Sequence, residues 1–112
     1  NSVTLNHHGI DLQELTAYLE QKPKFFYAIP TFQNPTGLTY DNETRIALAN
    51  LLKKTNTIFI EDNPYGDLRF NDETFLPIYP LLKDQTILLG TFSKTVSPGM
   101  RIGWIACSNS YL

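Results

Sequence analysis

Cysteine is all but missing from this sequence: Cys107 is the single thiol in 112 residues. No internal disulfide can form, and a reduced, cytoplasmic setting is the reading that follows. Metal ligands are equally scarce. The two histidines, His7 and His8, are adjacent and so point different ways, and no cysteine or histidine stands at zinc-ligand spacing. Two exposed loop histidines and no metal are expected. No basic cluster appears and the formal net charge is -2, which argues against a nucleic-acid surface within these residues. No apolar run is long enough to span a bilayer, and no basic start leads into an apolar stretch as in a signal peptide. Internal repeats and low-complexity segments are absent too. So is any serine or cysteine nucleophile paired with a histidine, which removes the common hydrolytic triads.

What is present suits one modest domain or a piece of a larger one, with 42% hydrophobic and 18% charged residues. The chain opens on a strand-like piece at residues 3–5 and stops just after the apolar run 102–107. Both ends look cut, and residues 1–112 are expected to be part of a longer chain. Asp11 and Glu14 fit a capping box, with Glu14 reaching back to Asp11. Leu12, Leu15 and Leu19 follow at helical spacing, which predicts a helix over residues 12–21, ahead of Pro23. Residues 25–29 are apolar and aromatic and end at Pro30, so a buried strand is expected. Asp41 and Glu43 favour a second helix start, and Lys53 and Lys54 its end. Between them Ala47 and Leu51, and Leu48 and Leu52, pair four residues apart. Further strands are expected at 57–61, 86–89 and 102–107, a turn at 63–66, and irregular chain over 71–80. Strands alternating with helices predict an α/β fold: a mostly parallel sheet covered by helices on both faces.

In open α/β sheets, ligands bind beyond the carboxyl ends of the strands. After the first predicted strand comes Asn34. After the second come Asp62 and Tyr65. After the third come Thr91, Ser93 and Lys94, with Arg101 beyond. An amide, a carboxylate, a phenol, hydroxyls, an amine and a guanidinium are thereby brought to one edge. That set suits a cofactor carrying an aldehyde, a pyridine nitrogen, a phenolate oxygen and a phosphate.

Three motifs turn this into a resemblance: NPTG at residues 34–37, EDNPYGDLRF at 61–70 and FSKTVSPGMRIGW at 92–104. Each alone is weak; in this order, each behind a strand-like run, they are specific. Over essentially its whole length the chain resembles the fold-type I pyridoxal-phosphate enzymes, in particular the class I/II aminotransferases of the aspartate-aminotransferase superfamily. PTFQNPTG at residues 30–37 looks most like the 2-aminoadipate and aromatic aminotransferase branch. It also resembles the aminotransferase-like domain of MocR/GntR-type winged-helix regulators. The resemblance implies the central part of a three-layer α/β/α large domain.

By this resemblance Lys94 forms the Schiff base with pyridoxal phosphate, its acidity raised by burial near cationic groups; otherwise it is a surface lysine. Asp62 sits against the pyridine nitrogen; otherwise it caps a turn. Glu61, next to it on the strand, points the other way. Tyr65 and Asn34 hydrogen-bond the phenolate oxygen; otherwise they are a core aromatic with a wet hydroxyl and a plain turn residue. Thr91, Ser93 and Arg101 grip the phosphate, with Ser93 the member that could equally be a loop hydroxyl, and Gly99 and Gly103 allow close backbone approach. Trp104, Phe26 and Phe59 are expected in the core, and Cys107 buried and inert. A glycine-rich phosphate loop and a ring-stacking aromatic are implied upstream of this stretch, and a substrate-carboxylate arginine downstream. The function implied is transamination between an amino acid and a 2-oxo acid by a homodimer. The alternatives are a regulator that senses pyridoxal phosphate, with DNA bound only through an upstream winged helix, and a lyase or decarboxylase on the same fold.

Overall fold

The computed structural model describes residues 1–68 and 74–111. Arg69 and Phe70 of the second motif, and residues 71–73 at the start of the predicted irregular stretch, lie outside the described residues. The chain begins with a small antiparallel hairpin of β1 (Leu5–Asn6) and β2 (Gly9–Ile10). It continues through α1 (Leu12–Leu19), β3 (Phe25–Ala28), α2 (Asn42–Leu52), β4 (Ile58–Asp62), β5 (Thr86–Thr91) and β6 (Gly103–Ala106). Strands β3 to β6 form one sheet in sequence order. The β3–β4 and β4–β5 pairs are parallel, whereas β6 runs antiparallel to β5. Three carboxyl ends, those of β3, β4 and β5, therefore share one edge.

Local signals explain both helices. Asp11 caps α1, its carboxylate accepting from the Gln13 and Glu14 N–H groups at 2.9 and 3.0 Å, which satisfies donors the helix itself cannot. The reciprocal half of the capping box is not formed. Glu14 accepts instead from the N–H of Thr4 at 2.7 Å, while the N–H of Asp11 donates to the Thr4 carbonyl at 2.9 Å. The incoming strand has taken both partners and is pinned to the helix by them. The helix ends at Leu19, short of the predicted residue 21, and Lys22 turns left-handed ahead of Pro23. Asp41 caps α2 by accepting from Thr44 N–H at 2.7 Å, and Lys53 forms its C-cap. The pair His7 and His8 sits exposed in the β1–β2 turn, where His8 Nδ1 meets Asp41 Oδ2 at 3.0 Å.

The core joins both helices to one face of the sheet. Leu15 and Leu19 of α1, Leu48 and Leu52 of α2, and Phe59 of β4 meet in it, and Phe26 stacks on Phe59 with ring centres 5.7 Å apart. Leu48, Leu52 and Phe59 are wholly buried, each stabilising the fold by about 1.5–3 kcal/mol. The helices that the described residues provide cover this face, not both as predicted. On the other face β3 departs further from expectation. It is an edge strand, with Phe25 60% and Tyr27 48% exposed. Trp104 is likewise 40% exposed, lying over Gly90 rather than in the core, and Cys107 is half-buried rather than enclosed. No helix among the described residues is long and apolar enough to cross a membrane.

Candidate functional site

Each parallel strand delivers one part of the site. The loop after β3 spans residues 30–40 and is closed on itself. Tyr40 N–H donates to the Pro30 carbonyl at 2.8 Å, and Gln33 N–H to that of Leu38 at 2.9 Å. Within it Gln33 works on both sides of the turn: Nε2 donates to the Asn34 carbonyl at 2.7 Å, and Oε1 accepts from Thr36 N–H and Oγ1 at 3.1 and 2.6 Å. The Asn34–Pro35 peptide is cis, and Gly37 takes the positive φ of 72° that closes the turn. From below, buried Arg45 of α2 clamps the loop. Its guanidinium donates to the carbonyls of Pro30 and Tyr40 at 2.8 Å, to Thr31 Oγ1 at 2.8 Å and to the Leu76 carbonyl at 3.0 Å. Asn34 is thus carried on a loop tied together by backbone and side-chain hydrogen bonds.

Strand β4 ends on Asp62, which lies within the strand rather than one residue past it. Its neighbour Glu61 points the other way, as predicted; it is buried there and accepts from the N–H groups of Ile78 and Tyr79 at 3.0 and 2.7 Å. Asp62 faces the opposite side, where its Oδ2 accepts from Tyr27 Oη at 2.5 Å. Beyond it, Tyr65 shares an open cleft with Phe32, Asn34, Pro35 and Leu68. Strand β5 runs to Thr91, longer than predicted. The Thr91 hydroxyl accepts from Ser93 N–H at 3.1 Å and donates to the Ile102 carbonyl at 3.3 Å, and Phe92 N–H donates to the same carbonyl at 3.1 Å. These bonds close the loop from Phe92 to Arg101. Inside it, Ser97 caps a short 3-10 turn at Pro98–Met100, and Arg101 follows in left-handed conformation.

The Lys94 ammonium lies 5.9 Å from the centre of the Tyr65 ring, a cation over an aromatic face. Asn34 and Tyr65 line one cleft, Tyr65 faces Lys94, and Asp62 stands at the carboxyl end of β4, three residues before Tyr65. Thr91 and Ser93 are joined by a hydrogen bond, and Arg101 returns the loop to the start of β6. Lys94 is exposed, not buried as expected: the described residues leave its outer side open. Three contributors escaped the sequence reading. A tyrosine in an aromatic strand, a glutamine before a turn and an arginine on a helix carry no signal that distinguishes Tyr27, Gln33 and Arg45 from filler and surface.

This edge can now be set beside known proteins. The sequence profile of the family "Aminotransferase class I and II" matches residues 2–112. The chain belongs to the class I and II aminotransferase family. Aromatic-amino-acid aminotransferase 1 of Thermococcus litoralis is 39% identical over 98% of this chain and 28% of its own length. The uncharacterized HTH-type transcriptional regulator YisV of Bacillus subtilis is 45% identical over 74% of this chain and 17% of its own. Among solved structures, LysN, an alpha-aminoadipate aminotransferase from Thermus thermophilus complexed with N-(5'-phosphopyridoxyl)-L-leucine, superposes with a TM-score of 0.93. It is 30% identical, over 99% of this chain and 30% of LysN. The fold is therefore that of the fold-type I aminotransferases, and the chain spans less than a third of the length of these relatives.

Proposed function

We propose that the whole protein is a pyridoxal-phosphate-dependent aminotransferase that exchanges an amino group between an amino acid and a 2-oxo acid. Residues 1–112 supply the central part of its large, cofactor-binding domain. The observation that carries this reading is the convergence at one sheet edge of Asp62, of Tyr65 and Asn34 in a common cleft, and of Lys94 over the Tyr65 ring. The donor set fits the cofactor group by group. A carboxylate suits a cationic ring nitrogen, phenol and amide donors an anionic ring oxygen, an amine an aldehyde, and hydroxyls with a guanidinium a phosphate dianion.

Bound pyridoxal phosphate supplies the electron sink for cleaving a bond at the substrate α-carbon. The protein's own groups do the rest. Asp62 holds the proton on the ring nitrogen. Asn34 and Tyr65 would donate to the ring oxygen. Thr91, Ser93 and Arg101 anchor the phosphate. Lys94 anchors the cofactor through its amine and, once displaced by substrate, carries a proton as base and then acid. Assembly as a homodimer and a cytoplasmic location belong to the same reading, supported by the family and by the single cysteine.

The test is a single-turnover assay: the full-length protein, loaded with cofactor, is offered a broad amino-acid panel, and conversion to the pyridoxamine form is followed by absorbance. Conversion supports the reading. A second reading has an observation of its own, the 45% identity to the regulator YisV. Specific DNA binding by the full-length protein together with no turnover on the whole panel would establish a cofactor-sensing regulator instead.

A further inference from the structure

We propose that Tyr27 is a positioning residue for Asp62, holding one carboxylate oxygen so that the other is presented to the ring nitrogen of the cofactor. The proposal rests on the reading of Asp62 given above. Its basis is the register of two parallel strands. Tyr27 stands opposite Ile60, so Asp62, two residues further along β4, lies on the same face and one step diagonally away. A phenol spans that step. Tyr27 Oη meets Asp62 Oδ2 at 2.5 Å, the length of a hydroxyl bond to an ionised acceptor. Among the described residues no other hydrogen bond reaches the carboxylate, which leaves Oδ1 uncommitted and the side chain fixed by a single tether.

Packing does not account for the tyrosine. Its face of β3 is open, and the core is filled from the other face by Phe26 and Ala28. The phenol also stays a donor through the working range. Its pKa is pushed up to about 12, first by burial and then by the bond to Asp62 and the charges of Asp62 and Tyr65. The bond fixes where the Asp62 carboxylate stands, and the carboxylate's charge is what holds the proton on the ring nitrogen in the proposed site.

The experiment uses the full-length protein loaded with pyridoxal phosphate labelled with ¹⁵N in the ring, whose chemical shift reports whether the nitrogen is protonated. Tyr27→Phe removes the donor and keeps the ring. With secondary structure and melting temperature near wild type, the ring nitrogen is expected to lose its proton at lower pH. The cofactor dissociation constant should rise about tenfold. Asp62→Ala is measured in parallel and is expected to abolish ring protonation at neutral pH. Should Tyr27→Phe fail to fold, Tyr27→Met, equally without a donor but flexible, gives the same readout. If Asp62→Ala changes the ¹⁵N shift and the folded Tyr27 variant does not, the role of Tyr27 is refuted while that of Asp62 stands. An unchanged shift in Asp62→Ala overturns both.

Discussion

Glu61 and Asp62 are consecutive in the chain, yet their carboxylates face opposite sides of the sheet and hold different partners. Glu61 is buried and takes the Ile78 and Tyr79 N–H groups; Asp62 takes the Tyr27 hydroxyl. Period-two alternation forces this division on any strand. One carboxylate therefore serves the fold, and its neighbour faces the proposed site. Glu61→Ala strands one buried donor at Ile78 and one part-buried donor at Tyr79, and a loss of about 2–4 kcal/mol in stability is expected. Urea unfolding of the full-length protein measures it. A midpoint unchanged by Glu61→Ala would show that the two N–H groups have other partners.

Glu61 also gives the stability a pH dependence of known sign. Burial pushes its carboxyl above the ordinary value of 4.5, and the Ile78 and Tyr79 N–H groups and Arg45 offset part of that. In the window just above 4.5 the folded state holds more protons than the unfolded one, so this group's contribution is full below that value and declines as pH rises through the folded pKa. Relative to Glu61→Gln, the wild type should lose stability over this window. Denaturation curves from about pH 4 upward on both proteins check the slope; a relative gain with rising pH would contradict the assignment.

Much of this arrangement could be read beforehand, for a physical reason. Strand ends and alternation are local, so Asp62, Glu61 and the order of the three loops followed from the sequence. Tertiary partners are not local. Glu14 had the spacing of a capping box, but Thr4 offered its N–H in competition and took the carboxylate. Nothing local marks Arg45, which is 1% exposed because loop carbonyls at Pro30 and Tyr40 receive it. Residues 25–29 had the composition of a buried strand, but composition does not say which strands lie beside it, and among the described residues β3 pairs on one side alone. Nor does an apolar run reveal strand direction, which is why antiparallel β6 was not foreseen.

Lys94 and Lys83 bracket β5, Lys83 in the 3-10 turn before it and Lys94 in the loop beyond its carboxyl end. Of the two, Lys94 lies at the edge of the proposed site. Borohydride reduction of the cofactor-loaded full-length protein, followed by peptide mapping, should place the label on Lys94. Lys94→Ala should slow amino-group transfer by about 10²–10⁴-fold, the range for loss of a general acid–base group. Label on Lys83 would overturn the assignment.

Gly90 and Trp104 face each other across β5 and β6, and a methyl group at position 90 would sit 2.2 Å from two ring carbons of the indole. Such an approach is far inside contact distance, so the ring or the strands must shift. Gly90→Ala should destabilise the full-length protein by about 1–3 kcal/mol. Pairing it with Trp104→Leu should recover part of the loss, a coupling measured by a double-mutant cycle. Strict additivity would mean that the two positions do not touch.

The polypeptide 1–112 by itself should bind pyridoxal phosphate weakly, transfer no amino group and self-associate. It carries Asp62, Tyr65, Lys94 and Arg101 on one side of the proposed cofactor position, and it spans 28% of the aromatic aminotransferase it matches. Lys94 stands exposed over Tyr65. Catalysis that depends on orientation from several sides loses orders of magnitude when one side is missing. The sheet edges point the same way. β3 pairs only with β4 and β6 only with β5 among the described residues, so both edges offer unpaired backbone groups to another strand. Phe25 and Ile105, on the sheet face away from the core, are 60% and 67% exposed, and Val96 in the loop after β5 is 66% exposed, apolar surface that association would cover. Light scattering should show oligomers or aggregates. A titration followed by absorbance and by an amino-transfer assay should show weak binding without turnover. Tight stoichiometric binding with measurable turnover by a monomer would establish that these residues form a complete site, and the reading of residues 1–112 as one part of a larger cofactor-binding domain would fall.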